Sequence, residues 1–239
     1  TMVPYFVLEQ KSIVESLGTI LAVPLSFVVA YHLARGRDSL FVVSRAVVIA
    51  GLIFQPVVTL AFVRHALIEV VTDQTAWLMT LVGRQPEVVD GFYVDGLRIA
   101  EKAYPYDSTF VFRHAGQPIT YNIAIACTGI GSMAIFGGLI GGVSAPWRRK
   151  LRALAISLPV IYVLNLVRNV FIAIGFGEQH FHVAPGIIMP LFGIEEPLMV
   201  SYYVVDRILA QSASVLALVV ITWIVVRELP EVLVVVEDG

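Results

Sequence analysis

Long runs of apolar residues dominate the hydrophobic pattern of this chain. A helix needs roughly 17 to 25 apolar residues to cross a hydrocarbon core of about 30 Å. Five segments have that length, namely residues 17–34, 46–63, 123–143, 151–176 and 208–226. A sixth segment, residues 66–82, is interrupted by Glu69 and Asp73, which share one helical face and in lipid would have to point inward. The pattern predicts an all-α polytopic membrane protein, a helical bundle of about six transmembrane helices.

One polar segment, residues 83–121, separates the third and fourth predicted helices. It contains five acidic and four basic residues, too many for a membrane span. Alternating stretches at residues 92–94 and 109–112 predict short β-strands joined by Asp-Gly turns. We expect this segment to be a small cap outside the membrane, inserted into a single membrane domain that comprises residues 1–239.

Composition agrees with a membrane protein and narrows the functional classes. The chain is 58% hydrophobic and 14% charged, whereas a soluble domain is about 45–50% apolar and about 25% charged. A formal net charge of -2 provides no basic surface, so nucleic-acid partners are not expected. No metal or other cofactor is expected, because the sequence lacks the paired Cys, His or carboxylate spacing of a zinc site. The single cysteine excludes an internal disulfide.

Lysine and arginine residues in the short loops predict the orientation. Four of them crowd between the fourth and fifth predicted helices, at positions 148, 149, 150 and 152, and none occurs in residues 178–206. The positive-inside rule places the first of these loops in the cytoplasm and the second loop, together with the cap, on the extracellular side. In the N-terminal half, Arg35, Arg37 and Arg45 would lie outside if residues 66–82 cross the membrane. Either that segment is re-entrant or the rule fails locally.

Three reactive side chains fall at one predicted depth once this orientation is set. Cys127 lies about 6 Å from the outer end of its predicted helix, and Arg168 lies about 26 Å from the cytoplasmic start of the next one. Arg207 opens the last predicted helix, and the twenty residues to Arg227 span about 30 Å. All three therefore reach the boundary of the outer leaflet, where a thiol and two guanidinium groups can form one site.

The thiol and the guanidinium groups together suit nucleophilic chemistry. A helix N-terminus and nearby positive charges favour the thiolate, the reactive form of Cys127. Arginine remains protonated in a partly apolar site and offers a planar fork of donors, which suits a developing oxyanion or a lipid phosphate. Asn165 and Asn169 flank Arg168 and can either fix its geometry or donate to the reacting carbonyl.

Each of these residues also has a purely structural interpretation. A lone cysteine in a membrane helix is most often a packing residue, and Arg207 can be an anchor at the membrane interface. A purely structural role does not explain Arg168, because apolar sequence surrounds it and ionisable residues inside a membrane are functional by default. The glycines at positions 137, 138, 141 and 142 predict close helix packing and no chemistry. Three histidines, His114, His180 and His182, can each be either a proton shuttle near neutral pH or a solvated surface residue.

Three segments of the sequence carry a family resemblance. They are residues 126–132, which read ACTGIGS, residues 165–169, which read NLVRN, and the basic Arg207 that precedes the last apolar run. This ordered set of Cys, Arg and Arg resembles the exosortase and archaeosortase family. It is similar to the archaeal branch in particular, since bacterial members typically carry a histidine at the third position. The likeness spans residues 121–227, and family members often have about eight membrane spans.

The resemblance implies a cysteine transpeptidase at the outer face of an archaeal cell membrane. Its partners would be secreted and surface-layer proteins with a C-terminal sorting signal, formed by a Pro-Gly-Phe type motif, a hydrophobic helix and a basic tail. Cys127 would be the nucleophile that forms a thioester, and a membrane lipid would accept the acyl group. Arg168 or Arg207 would hold the oxyanion while the other orients the substrate or the lipid headgroup. The general acid is left open among the thiol proton, Tyr202, Tyr203 and a loop histidine.

Two other classes of protein are compatible with the same residues. In a transporter or flippase, Arg168 and Arg207 would bind an anionic solute or lipid, and Pro190, Gly193 and Pro197 would mark a re-entrant segment. The charges cluster at one leaflet, however, whereas transporter sites lie near the midplane. A scaffold subunit held by the glycine-rich helix is the third class, but it leaves the positions of the cysteine and the arginines unexplained.

Overall fold

The computed structural model describes residues 38–91, 93–94, 97–98 and 108–233. The predicted span at residues 17–34 lies outside these residues, as do Arg35 and Arg37. The described helices are α1 (Asp38–Thr59), α2 (Ala61–Leu81), α3 (Ile130–Gly142), α4 (Trp147–Gly177), α5 (Pro185–Phe192) and α6 (Met199–Glu228). The strands are β1 (Glu87–Asp90), β2 (Tyr93–Val94), β3 (Leu97–Arg98), β4 (Ser108–His114) and β5 (Gln117–Ile123). Short 3-10 helices follow β5 and α6, at Ile125–Thr128 and Pro230–Leu233.

Among the described residues, three helices are long and apolar enough to cross a membrane: Leu40–Thr59 with 20 residues, Trp147–Gly177 with 31 and Met199–Glu228 with 30. A helical membrane protein with a small sheet is therefore confirmed, whereas the count of about six transmembrane helices is not. Helix α3 has only 13 residues, and α2 carries charged residues along its length. Two of these, Glu69 and Asp73, are exposed in the described part of the chain, so the prediction that they point inward is wrong.

Two predicted helices have different ends in the structure. The predicted helix at residues 46–63 breaks at Leu60, whose extended backbone (φ -91°, ψ 105°) separates α1 from α2. The predicted helix at residues 208–226 starts earlier, at Met199, because the residues before it are also helical. Arg207 therefore lies inside α6 instead of opening it.

The apolar run at residues 123–143 is not one helix. Ile123 ends β5, and the 3-10 helix Ile125–Thr128 follows it. Gly129 then adopts a positive φ of 74°, which interrupts the helical path and which glycine tolerates best. Helix α3 begins only after this residue. Cys127 therefore lies in a turn ahead of the helix, and the prediction that it lies inside the helix is wrong.

The strands form a three-stranded antiparallel sheet in the order β1-β4-β5 and a separate two-stranded pair, β2-β3. Strands β4 and β5 pair out to His114 with Gln117, so two residues connect them. These residues, Ala115 and Gly116, both have positive φ (51° and 83°), as a type I′ hairpin turn requires. The predicted strand at residues 109–112 is confirmed inside β4. The predicted Asp-Gly turn at residues 95–96 lies outside the described residues, and β2 and β3 on either side of it pair Val94 with Leu97.

The sheet packs on the helices as part of one hydrophobic core. This core contains Phe110, Ile119, Tyr121 and Ile123 of the sheet, Ile68, Val71 and Met79 of α2, and Leu166, Ile172 and Phe176 of α4. At the end of α4, Gly177 faces the ring of Phe112 so closely that a Cβ there would overlap it. The sheet is therefore fixed at the C-terminal end of α4, and β5 leads directly to Cys127.

Helices α1 and α3 run antiparallel and approach each other closely through glycines. A Cβ on Gly138 would overlap the carbonyl oxygen of Ala46, and a Cβ on Gly142 would lie 2.8 Å from the carbonyl oxygen of Val42. Only glycine permits backbones to come this close. The predicted role of the glycine repeat in helix packing is confirmed.

Helices α4 and α6 also run antiparallel, and an ion-pair cluster joins them at the end opposite to the sheet. Arg149 donates to the carboxylate of Glu231 at 2.7 Å and to the backbone oxygen of Glu228 at 2.7 Å. Arg152 lies 3.7 Å from the carboxylate of Glu228. The basic loop that predicted the orientation therefore lies at the far end of α4 from the sheet and Cys127.

Candidate active site

Cys127 is held in the turn between the sheet and α3. Its backbone N–H donates to the carbonyl oxygen of Ala124 at 2.8 Å, and the residue is partly buried. Gly129 closes the turn, and a Cβ at this position would lie 3.0 Å from the side chain of Asn165. A larger residue at position 129 would therefore strain the backbone and push the turn away from α4.

Two amides of α4 bind the backbone of the cysteine. Asn165 and Asn169 donate to the carbonyl oxygen of Cys127 at 2.6 Å and 2.7 Å. They lie one turn apart with Arg168 between them, so one stretch of α4 supplies both the bonds that fix the turn and the cation beside it. The sequence suggested that these asparagines fix Arg168 or donate to a substrate carbonyl. In the structure, their amide groups instead bind the protein's own backbone.

A buried carboxylate joins the two arginines. Nη2 of Arg168 lies 2.5 Å from Oδ1 of Asp206, and Nε of Arg207 lies 3.7 Å from Oδ2 of the same residue. Asp206 is 7% exposed, whereas the side chains of Arg168 and Arg207 are 29% and 49% exposed. Asp206 is absent from the predicted site, although an acid inside a long apolar helix is itself a signal of function.

The 3-10 turn Ile125–Thr128 borders two cavities of about 440 Å³ each. The first, here named the arginine cavity, is lined by Phe54, Ser132, Asn165, Arg168, Asp206, Arg207, Gln211 and Ser214, among others. The second, the thiol cavity, is lined by Tyr93, Ile119, Tyr121, Cys127, Phe176, Glu196, Met199 and Tyr202, among others. The structure therefore brings the three predicted site residues to one end of the bundle, but the cysteine and the arginines line different cavities.

Burial raises the pKa of the Cys127 thiol above its ordinary value. A hydrogen bond between the backbone of Ala124 and the sulfur, the charge of Arg168 and the hydroxyl of Tyr121 each lower this pKa, and the charge of Asp206 raises it. Because burial outweighs the groups that lower the pKa, the resting residue is a thiol at neutral pH. The charge of Arg168 favours the thiolate as predicted, but burial outweighs this effect in the resting residue.

Among the residues that the structure describes, tyrosines line the thiol cavity and histidines do not. Tyr121 and Tyr202 line the thiol cavity together with Cys127, and burial raises the pKa of Tyr121 well above its usual range. Tyr121 is absent from the predicted proton donors. The three histidines proposed as proton shuttles are exposed and line neither cavity. One of them, His180, lies 2.8 Å from the carboxylate of Glu178.

The segment predicted to be re-entrant in a transporter does not line the arginine cavity, and its residue Glu196 lines the thiol cavity. Pro190 lies inside α5, a helix of eight residues, and Gly193 ends this helix at a positive φ of 62°. None of the residues of α5 is buried, and none of them lines the arginine cavity or the thiol cavity. Pro190, Gly193 and Pro197 therefore do not line the cavity that contains Arg168 and Arg207.

Comparison with known proteins identifies the family. The chain matches the family model described as transmembrane exosortase over residues 2–195. It belongs to the transmembrane exosortase family. Archaeosortase A of Haloferax volcanii is 42% identical over 99% of this chain and 78% of its own length. Archaeosortase A of Natronomonas pharaonis is 38% identical over 99% of this chain and 73% of its own length.

The predicted membership of the exosortase and archaeosortase family is thereby confirmed. Similarity to the two relatives extends well beyond residues 121–227, which carry the resemblance in the sequence. This exosortase is an archaeosortase-type membrane enzyme with archaeal relatives. No solved structure matches the chain.

Proposed function

We propose that this exosortase is a membrane-embedded cysteine transpeptidase. Its substrates are secreted and surface-layer proteins with a C-terminal sorting signal of the Pro-Gly-Phe tripartite type, and its products carry a membrane lipid at their new C-terminus. One observation supports the proposal most directly: Asn165 and Asn169 bind the backbone of Cys127 beside Arg168. A cysteine that only fills space in a core does not need two amides to fix its turn next to a cation.

The proposed reaction consists of two acyl transfers. The sulfur of Cys127 attacks the scissile carbonyl carbon, a C–S bond forms, and the C–N bond breaks as the departing amine takes up a proton. The amine of a membrane lipid, or a similar nucleophile, then attacks the thioester. A new C–N bond forms, the C–S bond breaks and the attacking amine loses a proton. The thiol is regenerated, so neither step needs an oxidant or a reductant.

The two arginines have distinct tasks in this proposal. Arg168 holds the oxyanion that develops in both steps, because its charge acts on the Cys127 thiol and its planar fork presents several N–H donors. Arg207 is more exposed and lines the arginine cavity, so we assign it to orienting the acceptor or the substrate. Arg168 lies closer to the carboxylate of Asp206 than Arg207 does, so Arg168 is held more firmly and Arg207 has more freedom to follow a ligand.

The two cavities suit the two substrates. The thiol cavity has a mainly aromatic and apolar lining, which can hold the residues next to the scissile bond. The arginine cavity contains two guanidinium groups and one carboxylate, so its net positive charge can hold an anionic group of a lipid headgroup. Because the turn with Cys127 borders both cavities, the acyl donor and the acceptor can occupy separate sites.

The departing amine needs a proton, and the resting thiol carries one. The raised pKa of Cys127 keeps this proton on the sulfur before the reaction. It can pass to the leaving group through the hydroxyl of Tyr121 or Tyr202, which line the same cavity. Arginine is unsuited to this step because its pKa exceeds about 12.

The active site faces the outside of the cell in this proposal. No Lys or Arg occurs in residues 178–206, which connect α4 to the site region of α6. The opposite end of α4 carries four basic residues, at positions 148, 149, 150 and 152. This is the distribution of the positive-inside rule. The polar segment at residues 83–121 is then an extracellular cap, and a secreted substrate reaches the thiol from the same side.

The decisive experiment replaces the nucleophile. Cys127→Ala and Cys127→Ser should insert and fold yet leave the sorting signal on a candidate substrate, because neither side chain supplies a sulfur nucleophile. Mass spectrometry of the substrate C-terminus, from cells with the parent chain and with each variant, measures the loss. His114→Ala, at the exposed tip of the hairpin, is the control and should process the substrate normally. Full processing by Cys127→Ala would overturn the proposal.

A further inference from the structure

We propose that Asp206 is a positioning residue of this site, a role that rests on the proposed function. Its carboxylate holds the guanidinium group of Arg168 beside Cys127 and keeps Arg207 at the arginine cavity. Asp206 does not touch the reacting atoms in this arrangement. It acts through the two arginines.

Burial and contacts distinguish this carboxylate. Asp206 is 7% exposed, and its two oxygens are divided between two cations, Arg168 at 2.5 Å and Arg207 at 3.7 Å. A buried charge is tolerated when it is paired in this way. Because one anion lies between two cations, the group retains a net positive charge, which a developing oxyanion or an anionic substrate group can use.

The packing of α6 against α4 brings the carboxylate to Arg168. Gly175 lies two helical turns beyond Arg168 on α4, and a Cβ there would lie 2.9 Å from the side chain of Val205. The hydroxyl of Ser201 donates to the carbonyl oxygen of Gly175 at 2.8 Å. These contacts hold the first part of α6 close to α4 and place Asp206, the residue after Val205, against Arg168.

The backbone of α6 is altered at the same position. The segment Tyr203–Ala210 is π-helical within an otherwise α-helical element. Such wide turns occur frequently at functional sites. Here the consecutive residues Asp206 and Arg207 lie in the wide turn and both line the arginine cavity. The π-helical segment therefore carries two of the three charged residues, Asp206 and Arg207, that form the ion cluster with Arg168.

Asp206 affects the Cys127 thiol in two opposing ways. Its own negative charge raises the pKa of the thiol, while Arg168, which it holds in place, lowers that pKa. The other titratable groups that line the thiol cavity are Tyr93 of β2, Tyr121 of β5, Tyr202 of α6, and Glu196 just before α6. If Asp206 acts only as a charge, its removal lowers the thiol pKa. If it positions Arg168, its removal raises the thiol pKa.

The experiment measures alkylation of the full chain by iodoacetamide as a function of pH, since Cys127 is the only cysteine of the sequence. Asp206→Asn should raise the apparent pKa and slow alkylation at mildly alkaline pH by about tenfold, the effect of about one pKa unit. In an Arg168→Gln background, the same substitution should speed alkylation, because only the charge effect remains. The matched control is Glu228→Gln, which removes a carboxylate at the far end of α6 and should change nothing.

A lower thiol pKa in Asp206→Asn would overturn the proposal, since it is the result of a charge with no positioning role. The same direction of change in both backgrounds would also overturn it. If Asp206→Asn does not fold, Asp206→Glu decides the question. The added methylene moves the guanidinium group, so alkylation should slow, and a parental alkylation rate would reject the positioning role.

Alkylation requires no turnover, so the inference and the proposed function fail separately. Cleavage of a candidate substrate by the parent chain is measured in parallel. A parent chain that never cleaves the substrate rejects the transpeptidase, whatever the alkylation rates are. A parent chain that cleaves, together with a lower thiol pKa in Asp206→Asn, rejects only the role of Asp206.

Discussion

At the scale of single residues, the site holds its sulfur firmly but does not ionise it. Asn165 and Asn169 fix the backbone of Cys127, while burial keeps the thiol protonated despite the charge of Arg168. The thiolate is the form that oxidants attack most readily. A residue that remains a thiol at rest is therefore protected against oxidation until a substrate arrives.

We expect the alkylation of Cys127 to have an apparent pKa above about 8.5, the ordinary value of a thiol. A raised pKa keeps the sulfur protonated as the pH rises, so the reaction accelerates only at alkaline pH. Tyr121→Phe should raise this pKa further, because the Tyr121 hydroxyl lowers it. Tyr162→Phe is the control, since its hydroxyl binds Gln74 of α2 instead of the thiol. Rapid alkylation of the parent chain at acidic pH would contradict the expectation.

The sequence drew attention to Cys127, Arg168 and Arg207 because such residues are rare in apolar runs. Tyr121 could not be distinguished in the same way, since an inward tyrosine on a strand looks like any other core residue. The importance of Asp206 could not be predicted because it depends on a tertiary contact. Only the packing of α6 against α4 brings the carboxylate of Asp206 to the guanidinium group of Arg168.

At the scale of helices and strands, apolar runs predicted the positions of elements better than the breaks between them. Helix α4 contains all of the predicted residues 151–176, and it adds the basic residues before Leu151. The run at residues 123–143 is equally apolar, yet it contains a strand end, a turn and a helix. The break occurs at Gly129, whose backbone conformation and contact with Asn165 depend on a distant part of the chain.

Substitution of Gly138 should disturb the contact between α1 and α3. The Cβ in Gly138→Ala overlaps the carbonyl oxygen of Ala46, and overpacking of this kind costs about 1–3 kcal/mol. Gly51→Ala is the matched control on α1, because no described atom lies within 4 Å of a Cβ there and alanine favours a helix by about 1 kcal/mol over glycine. Thermal unfolding in detergent should give a lower Tm for Gly138→Ala only. Equal Tm values for the two variants would speak against close packing.

At the scale of the whole molecule, the described chain has two chemically different ends. The sheet, the thiol and the Arg168–Asp206 pair lie at one end of α4, and the basic residues around Arg149 lie at the other. The sequence predicted this separation from charge alone, because basic residues near a membrane are sorted by side. It could not predict that the sheet shares its core with the helices, because this packing unites residues of distant segments.

Labelling from outside the cell should distinguish the two ends. In a Cys127→Ala chain, His114→Cys at the hairpin tip should react with a membrane-impermeant maleimide on intact cells, because we propose that the sheet is extracellular. Arg148→Cys, at the basic end, should react only after the cells are permeabilised. Both positions are exposed in the structure, so accessibility within the protein does not bias the comparison. The reverse pattern would refute the proposed orientation.

Helices α4 and α6 are joined twice, by Arg168 with Asp206 near the sheet and by Arg149 with Glu228 and Glu231 at the other end. Nineteen residues of α4 separate the two attachment points, about 28 Å along its axis. Neither helix can move along the axis of the other while both attachments persist. The two attachments therefore fix the distance between the Cys127 sulfur and the opposite membrane face. In the proposed reaction, a substrate whose hydrophobic anchor is one helical turn too short or too long would present its peptide bond out of reach of Cys127.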